Sequence, residues 1–112
     1  MTGRRGDALR LADIARSIER LQEVLAAGYD EFSRSWITQS AVVRELEIIG
    51  EAAGEVSVAL RRKHTDVGWA QMRGFSSFAK HEYWRVRPEL LWDAMKEMPV
   101  LRDRIRKVIA PL

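Results

Sequence analysis

Apolar residues recur at intervals of three and four along most of the chain, which is the spacing that places them on one face of an α-helix. β-branched residues nowhere alternate with polar ones over the length of a strand, so the pattern predicts helices throughout. The first stripe begins after Asp7, which we expect to cap a helix, and ends before Gly28, a residue suited to a helix C-terminus. Its members are Leu11, Ile14, Ile18, Leu21 and Leu25.

A second stripe runs from Val42 to Leu60 and predicts one long helix. Gly50 and Gly54 lie inside it. Glycine weakens a helix, but it lets another helix approach closely. We therefore expect tight packing at these two positions, either within one chain or between two copies.

Turn and proline signals divide the rest of the chain. Thr65 or Asp66 is predicted to cap a third helix that covers residues 69 to 83. Pro88 suits the first turn of a fourth helix, and Pro99 should kink or restart that helix. The last stripe consists of Leu101, Ile105, Val108 and Leu112.

The predicted fold class is all-α, an up-and-down antiparallel bundle of four to five helices. The links between the predicted helices are short, which favours antiparallel neighbours. With 112 residues, the chain should form a single domain, residues 1–112, around one core.

Composition narrows the possible chemistry. The chain has no cysteine, which excludes disulfides, thiolate metal sites and cysteine nucleophiles. Its two histidines, His64 and His81, have no ligand-like spacing, so we expect no metal and no cofactor. No apolar segment is long enough to cross a bilayer, and we expect a cytoplasmic protein without membrane contact. A net charge of +3 permits a nucleic-acid partner.

Two runs resemble a known family. The runs LEIIGEAA and WAQMRGFSSFAKHEYWRV are similar to the HepT-like branch of the HEPN domains. The resemblance extends over nearly the whole chain. It implies a helical bundle that dimerises, often acting as the toxin of a toxin–antitoxin pair, and that cleaves RNA without a metal ion.

The catalytic pattern of that family is an arginine, four to six intervening residues, a histidine, and a tyrosine two positions later. His81 matches the histidine and Tyr83 the tyrosine, whereas Ser76 stands where the arginine should be. Imidazole, with an ordinary pKa of about 6.5, suits proton transfer at neutral pH. Arginine supplies the fixed charge for the phosphorane, and losing one such donor costs roughly 10²- to 10³-fold in rate.

Three explanations of Ser76 remain open at this stage. The activity was lost naturally, Arg73 compensates from three positions earlier, or serine was introduced deliberately to silence a toxic protein. Lys80 is a weaker substitute than Arg73, because adjacent residues of a helix point about 100° apart. The same geometry excludes a Ser-His-Glu triad in this run.

The resemblance also implies a partner. In this branch a nucleotidyltransferase antitoxin of the MNT type can transfer AMP to the motif tyrosine, which here is Tyr83. The alternative function is a non-catalytic, degenerate HEPN bundle that pairs with such a partner or binds nucleotide. Burial of His81 among Phe75, Phe78 and Trp84 would favour a purely structural histidine, while convergence of Arg73 or the basic C-terminal residues on it would favour RNA binding.

Overall fold

The computed structural model describes residues 4–85 and 87–112, with the side chains of residues 4, 5 and 83 outside that description. This part of the chain contains helices and no strand, which confirms the all-α prediction. The helices are α1 (Arg4–Ala27), α2 (Tyr29–Ser33), α3 (Trp36–Glu55), α4 (Val58–Lys63), α5 (Trp69–His81), α6 (Glu89–Met95) and α7 (Met98–Ile109), and a 3₁₀ turn covers Tyr83–Arg85. None of them is long and apolar enough to cross a membrane.

The long helices α1, α3, α5 and α7 form the bundle, with α3 at its centre. It packs against α1 on one side and α5 on the other, and α7 packs against α1. The predicted stripes face inward, so that Leu11, Ile14, Leu46, Ile49 and Leu101 are buried. Leu112 is an exception, because 39% of its surface is exposed.

Contacts between the helices establish their antiparallel order. On α3, Gly50 lies against Ser76 of α5, whereas the later Gly54 lies nearer the earlier Arg73. Arg20 of α1 forms a 3.4 Å ion pair with Glu45 of α3. The bundle is therefore up-and-down, as the sequence predicts.

The second predicted helix is divided in two. α3 ends at Glu55, Val56 is extended, and Ser57 caps α4 by accepting a 3.2 Å hydrogen bond from the backbone N–H of Leu60. Asp7 does not cap α1. Its buried carboxylate accepts hydrogen bonds from the Ser57 backbone N–H at 2.8 Å and from the Ser57 Oγ at 2.7 Å, and so fastens the first turns of α1 to the start of α4.

The start of α5 also differs from the prediction. Neither Thr65 nor Asp66 caps it; the N-cap is Gly68, whose φ of 90° lies in the left-handed region that favours glycine. Trp69 follows as a buried anchor, and its indole Nε1 donates a 2.8 Å hydrogen bond to the His64 carbonyl. This bond holds the turn between α4 and α5 against the core.

Candidate active site

α5 carries the predicted site residues and has two distinct faces. Its inward face is the buried set Trp69, Met72, Phe75 and Ala79. The opposite face is exposed and consists of small or basic residues, namely Ala70, Arg73, Gly74, Ser77, Lys80 and His81. The spacing of three and four that buries the first set necessarily presents the second set to solvent.

The position expected to hold the motif arginine lies at the crossing of α5 with α3. A Cβ atom added to Gly50 would lie 2.6 Å from both the Cβ and the backbone nitrogen of Ser76, so the two backbones are in close contact there. Ser76 is half-buried, and its Oγ donates a 3.3 Å hydrogen bond to the Arg73 carbonyl. The tight packing predicted for Gly50 is therefore found within the chain.

A groove of about 490 Å³ opens beside this crossing. Arg73 and Ser76 both line it, so the structure brings the motif position and its possible substitute together. Glu51 and Glu55 of α3 line the opposite wall. The groove thus contains one guanidinium and two carboxylates, and its charge does not favour a phosphate.

His81 is the last residue of α5 and is exposed. Its Nδ1 lies 2.8 Å from the Ser77 carbonyl, an oxygen that can only accept, so Nδ1 carries a proton. In the neutral ring the lone pair is then at Nε2, on the opposite edge of the imidazole. This bond orients the side chain and makes Nε2 the atom able to accept a proton.

The backbone turns sharply after His81. Glu82 has a φ of 62°, an uncommon left-handed conformation for a residue with a side chain. The Trp84 indole donates a 3.0 Å hydrogen bond to the Ala79 carbonyl, and Arg85 forms a 3.0 Å ion pair with Glu82. These side-chain contacts stabilise the turn at the end of α5, and with it the position of His81.

The site residues do not all meet within one chain. His81 is not among the residues lining the groove, and five helical positions separate it from Ser76 by about 7.5 Å along the axis and about 140° around it. Phe75 is buried, but His81 is not, which removes the purely packed interpretation of the histidine. The modification predicted for Tyr83 falls on a side chain outside the described part of the chain.

The basic C-terminal residues do not converge on His81 in this chain. Arg104 of α7 lies near Gly68, since its guanidinium would be 3.6 Å from a Cβ added there. Gly68 is at the start of α5 and His81 is at its end, about 19 Å away by helical rise.

Sequence reasoning missed the carboxylates of the groove. Glu51 and Glu55 lie in the groove with Arg73 because of the way α3 crosses α5. A usable signal was present: Gly50 and Gly54 are one helical turn apart, so both face the same neighbour, and Glu51 and Glu55 flank that face.

Comparison with known proteins gives a consistent result. A model of the family described as ribonuclease HepT-like matches residues 14–108. "Probable ribonuclease HepT" of Thermococcus cleftensis is 34% identical over 100 residues, covering 88% of this chain and 91% of that protein. A "Putative RNase" of Caldanaerobacter subterraneus subsp. tengcongensis is 30% identical over 90 residues, or 80% of each chain. No solved structure matches.

Proposed function

This chain belongs to the ribonuclease HepT-like family, and from that premise we propose that it is the toxin component of a HEPN/MNT-type toxin–antitoxin pair. Its activity would be metal-independent endoribonuclease cleavage, attenuated here because Ser76 replaces the motif arginine. The observation that carries the proposal is the exposed His81, held by its Nδ1 at the end of the helix that the family motif occupies.

The chemistry assigned to His81 is proton transfer. The 2′-oxygen of a ribose attacks the adjacent phosphorus, its proton passes to Nε2 of the imidazole, and the bond from phosphorus to the 5′-oxygen breaks. The leaving 5′-oxygen takes a proton from an imidazolium or from water. Charge builds on the phosphorane oxygens meanwhile, and a guanidinium at position 76 would stabilise it, whereas the Ser76 hydroxyl offers one neutral hydrogen bond.

Arg73 is the possible substitute for that guanidinium. It is exposed, lines the same groove as Ser76, and lies three positions earlier on the helix. Two features argue against this role. Arg73 lies about 12 Å from His81 along the axis of α5, and Glu51 and Glu55 line the same groove. We therefore assign Arg73 at most a residual contribution.

A homodimer is part of the proposal. Since position 76 and His81 point in different directions on α5, two copies placed face to face across α5 can bring the histidine of one near the groove of the other. The small side chains of Ala70, Gly74 and Ser77 on the exposed face permit such a close approach.

Cleavage of labelled RNA without metal tests the activity. We compare the protein itself with Ser76→Arg, with Ser76→Arg combined with His81→Ala, and with Ser76→Arg combined with Lys80→Ala as the matched control. Ser76 lines the groove and its Cβ lies against Gly50, so an arginine there would extend from the crossing of α5 with α3. We expect Ser76→Arg to raise the rate about 10²- to 10³-fold.

The His81→Ala change should abolish this gain, and the Lys80→Ala change should not. If Ser76→Arg remains without cleavage while circular dichroism shows it folded, the ribonuclease proposal is wrong. The rate of RNA cleavage by the single variant Arg73→Gln, compared with that of the unsubstituted protein, measures what Arg73 contributes to the activity.

We also propose an MNT-type nucleotidyltransferase antitoxin as partner, with Tyr83 as the AMP acceptor. A phosphodiester close to His81 in sequence would introduce bulk and negative charge where RNA phosphate must approach. The measurement is mass spectrometry after mixing with the nucleotidyltransferase and ATP; an adduct on Tyr29 instead would refute the assignment.

The second candidate is a non-catalytic HEPN bundle that acts only through its partner or binds nucleotide. The acidic wall of the groove, Glu51 and Glu55, together with the neutral Ser76, favours it. Stable association with the nucleotidyltransferase, combined with no RNA cleavage by Ser76→Arg, is the result that would establish it.

A further inference from the structure

The end of the bundle opposite His81 is strongly basic. α4 finishes with three consecutive cations, Arg61, Arg62 and Lys63, and α7 adds Arg104 and Lys107. We call these five residues the basic end. All but the half-buried Arg61 are exposed.

The two helices that supply these cations meet in space. Lys63 and His64 line one cavity of about 450 Å³ together with Val108 and Pro111 of the α7 end. Arg104 approaches Gly68, four residues after His64 in the chain. Lys107 is three positions after Arg104 on α7 and therefore lies on the same side of that helix.

Most of this charge is not neutralised inside the protein. Within the described residues, none of the five cations forms an ion pair with a carboxylate. The ion pairs that do form there involve Arg20, Arg85, Arg87, Lys96 and Arg102. Arg61 donates through Nε to the Val56 carbonyl at 3.1 Å, which fixes it without cancelling its charge. Asp7, a carboxylate that lines the same cavity as Lys63, is buried and accepts hydrogen bonds from Ser57.

Stabilisation of helix ends does not account for the cluster. A cation in the last turn interacts favourably with the helix dipole, and this effect falls off within that turn. Arg104 precedes the end of α7 at Ile109 by more than one turn. It also belongs to a different helix from the α4 cations, so helix capping explains neither its position nor the convergence of two helices.

We propose that the basic end binds the phosphate backbone of RNA and holds the substrate strand, with the cleavage site of His81 at the other end of α5. The inference rests on the proposed ribonuclease function. It supplies the positive charge for RNA binding that the candidate site lacks. The groove beside Ser76 has two carboxylates for one guanidinium, so its own electrostatics oppose a polyanion. The binding charge must then lie elsewhere. Arg104 of the basic end lies beside Gly68, which is about 19 Å from His81 by helical rise, a distance that an RNA strand spans in a few nucleotides.

The test measures binding of a labelled single-stranded RNA by fluorescence anisotropy at several KCl concentrations. Arg62→Glu, Lys63→Glu and Lys107→Glu are combined in one variant. The matched control combines Arg10→Glu, Arg16→Glu and Arg34→Glu, which are exposed cations outside the basic end and give the same change in net charge. A second pair of variants carries Gln instead of Glu, and circular dichroism checks that all are folded.

Each phosphate contact to a single strand contributes about 0.7 to the slope of log affinity against log salt. Removing three contacts should reduce that slope by about 2 and weaken binding at low salt roughly tenfold or more. The control should retain most of the affinity and the slope.

Equal losses of RNA affinity in the test variant and the control variant would mean that only net charge matters, and would overturn the proposal. So would the absence of RNA binding by the unsubstituted protein, or binding to phosphatidylserine vesicles without binding to RNA. The two proposals fail separately. If RNA binds through the basic end but Ser76→Arg never cleaves it, the ribonuclease proposal is refuted and this inference is kept. If Ser76→Arg cleaves RNA and the three changes to Glu in the basic end leave its KM unchanged, this inference is refuted and the ribonuclease proposal is kept.

Discussion

Gly50 shows how one missing side chain sets the geometry of the site. The atoms that a Cβ at this position would meet include the backbone nitrogen of Ser76, which cannot move without moving α5. The distance between α3 and α5, and with it the width of the groove, therefore depends on residue 50 having no side chain. Ser76 is held at the crossing for the same reason.

We expect Gly50→Ala to destabilise the protein by about 1–3 kcal/mol, the usual cost of overpacking a well-packed contact. Gly74→Ala is the matched control, since a Cβ there meets nothing within 4 Å. Alanine is better than glycine inside a helix by about 1 kcal/mol, so the control should be neutral or stabilising. Urea unfolding followed by circular dichroism measures both. Equal stabilities would show that the crossing is looser than the structure implies.

At the scale of single residues, the sequence offers candidate site residues but does not show how they are arranged in space. Ser76, His81 and Tyr83 were found from a motif with fixed spacing, which is local information. The burial of Asp7 depends on its contact with Ser57, fifty positions later in the chain, and no local pattern encodes it. The angle of about 140° between Ser76 and His81 follows from helical geometry alone, because both residues lie on α5.

Among the elements, the joint between α3 and α4 was the main error. Val56 and Leu60 continue the apolar stripe four residues apart, so the spacing predicts one continuous helix across the interruption. The chain breaks there because Ser57 takes an extended conformation and caps α4, an arrangement completed by Asp7 from fifty positions earlier. The long helices were predicted well, since their stripes are buried over several turns.

Asp7→Ala should lower the free energy of unfolding by about 1–3 kcal/mol, because it leaves the half-buried N–H and hydroxyl of Ser57 without their acceptor. Asp13→Ala removes a carboxylate from the same helix at a less buried position and should change stability little. Thermal unfolding compares the two variants. A loss in Asp13→Ala as large as that in Asp7→Ala would contradict the capping role.

For the molecule as a whole, charge and side-chain size divide the surface into regions. The small exposed face of α5 lies beside an acidic groove, and the basic end lies at the opposite end of α5. Trp36, at the start of α3, is exposed over 74% of its surface and is not part of the core. The homodimer that we propose would use the exposed face of α5.

We therefore expect a dimer that Ala70→Arg combined with Ser77→Arg converts to a monomer, since two long cations would prevent the helices from approaching. Ala12→Arg combined with Ala26→Arg adds the same charge to exposed positions of α1 and should leave the dimer intact. Sedimentation velocity gives the masses. A monomeric unsubstituted protein, or dissociation of both variants, would refute this interface.

The cavity beside α4 has a further consequence. Asp7 and Leu112 both line it, so the first turns of α1 and the last residue of the chain are neighbours in space. A short flexible linker could therefore join residue 112 to the first turn of α1, and new ends could be opened at Gly28, in the loop between α1 and α2. In such a circular permutant α1 would follow α7 in the chain while every contact of the bundle was retained.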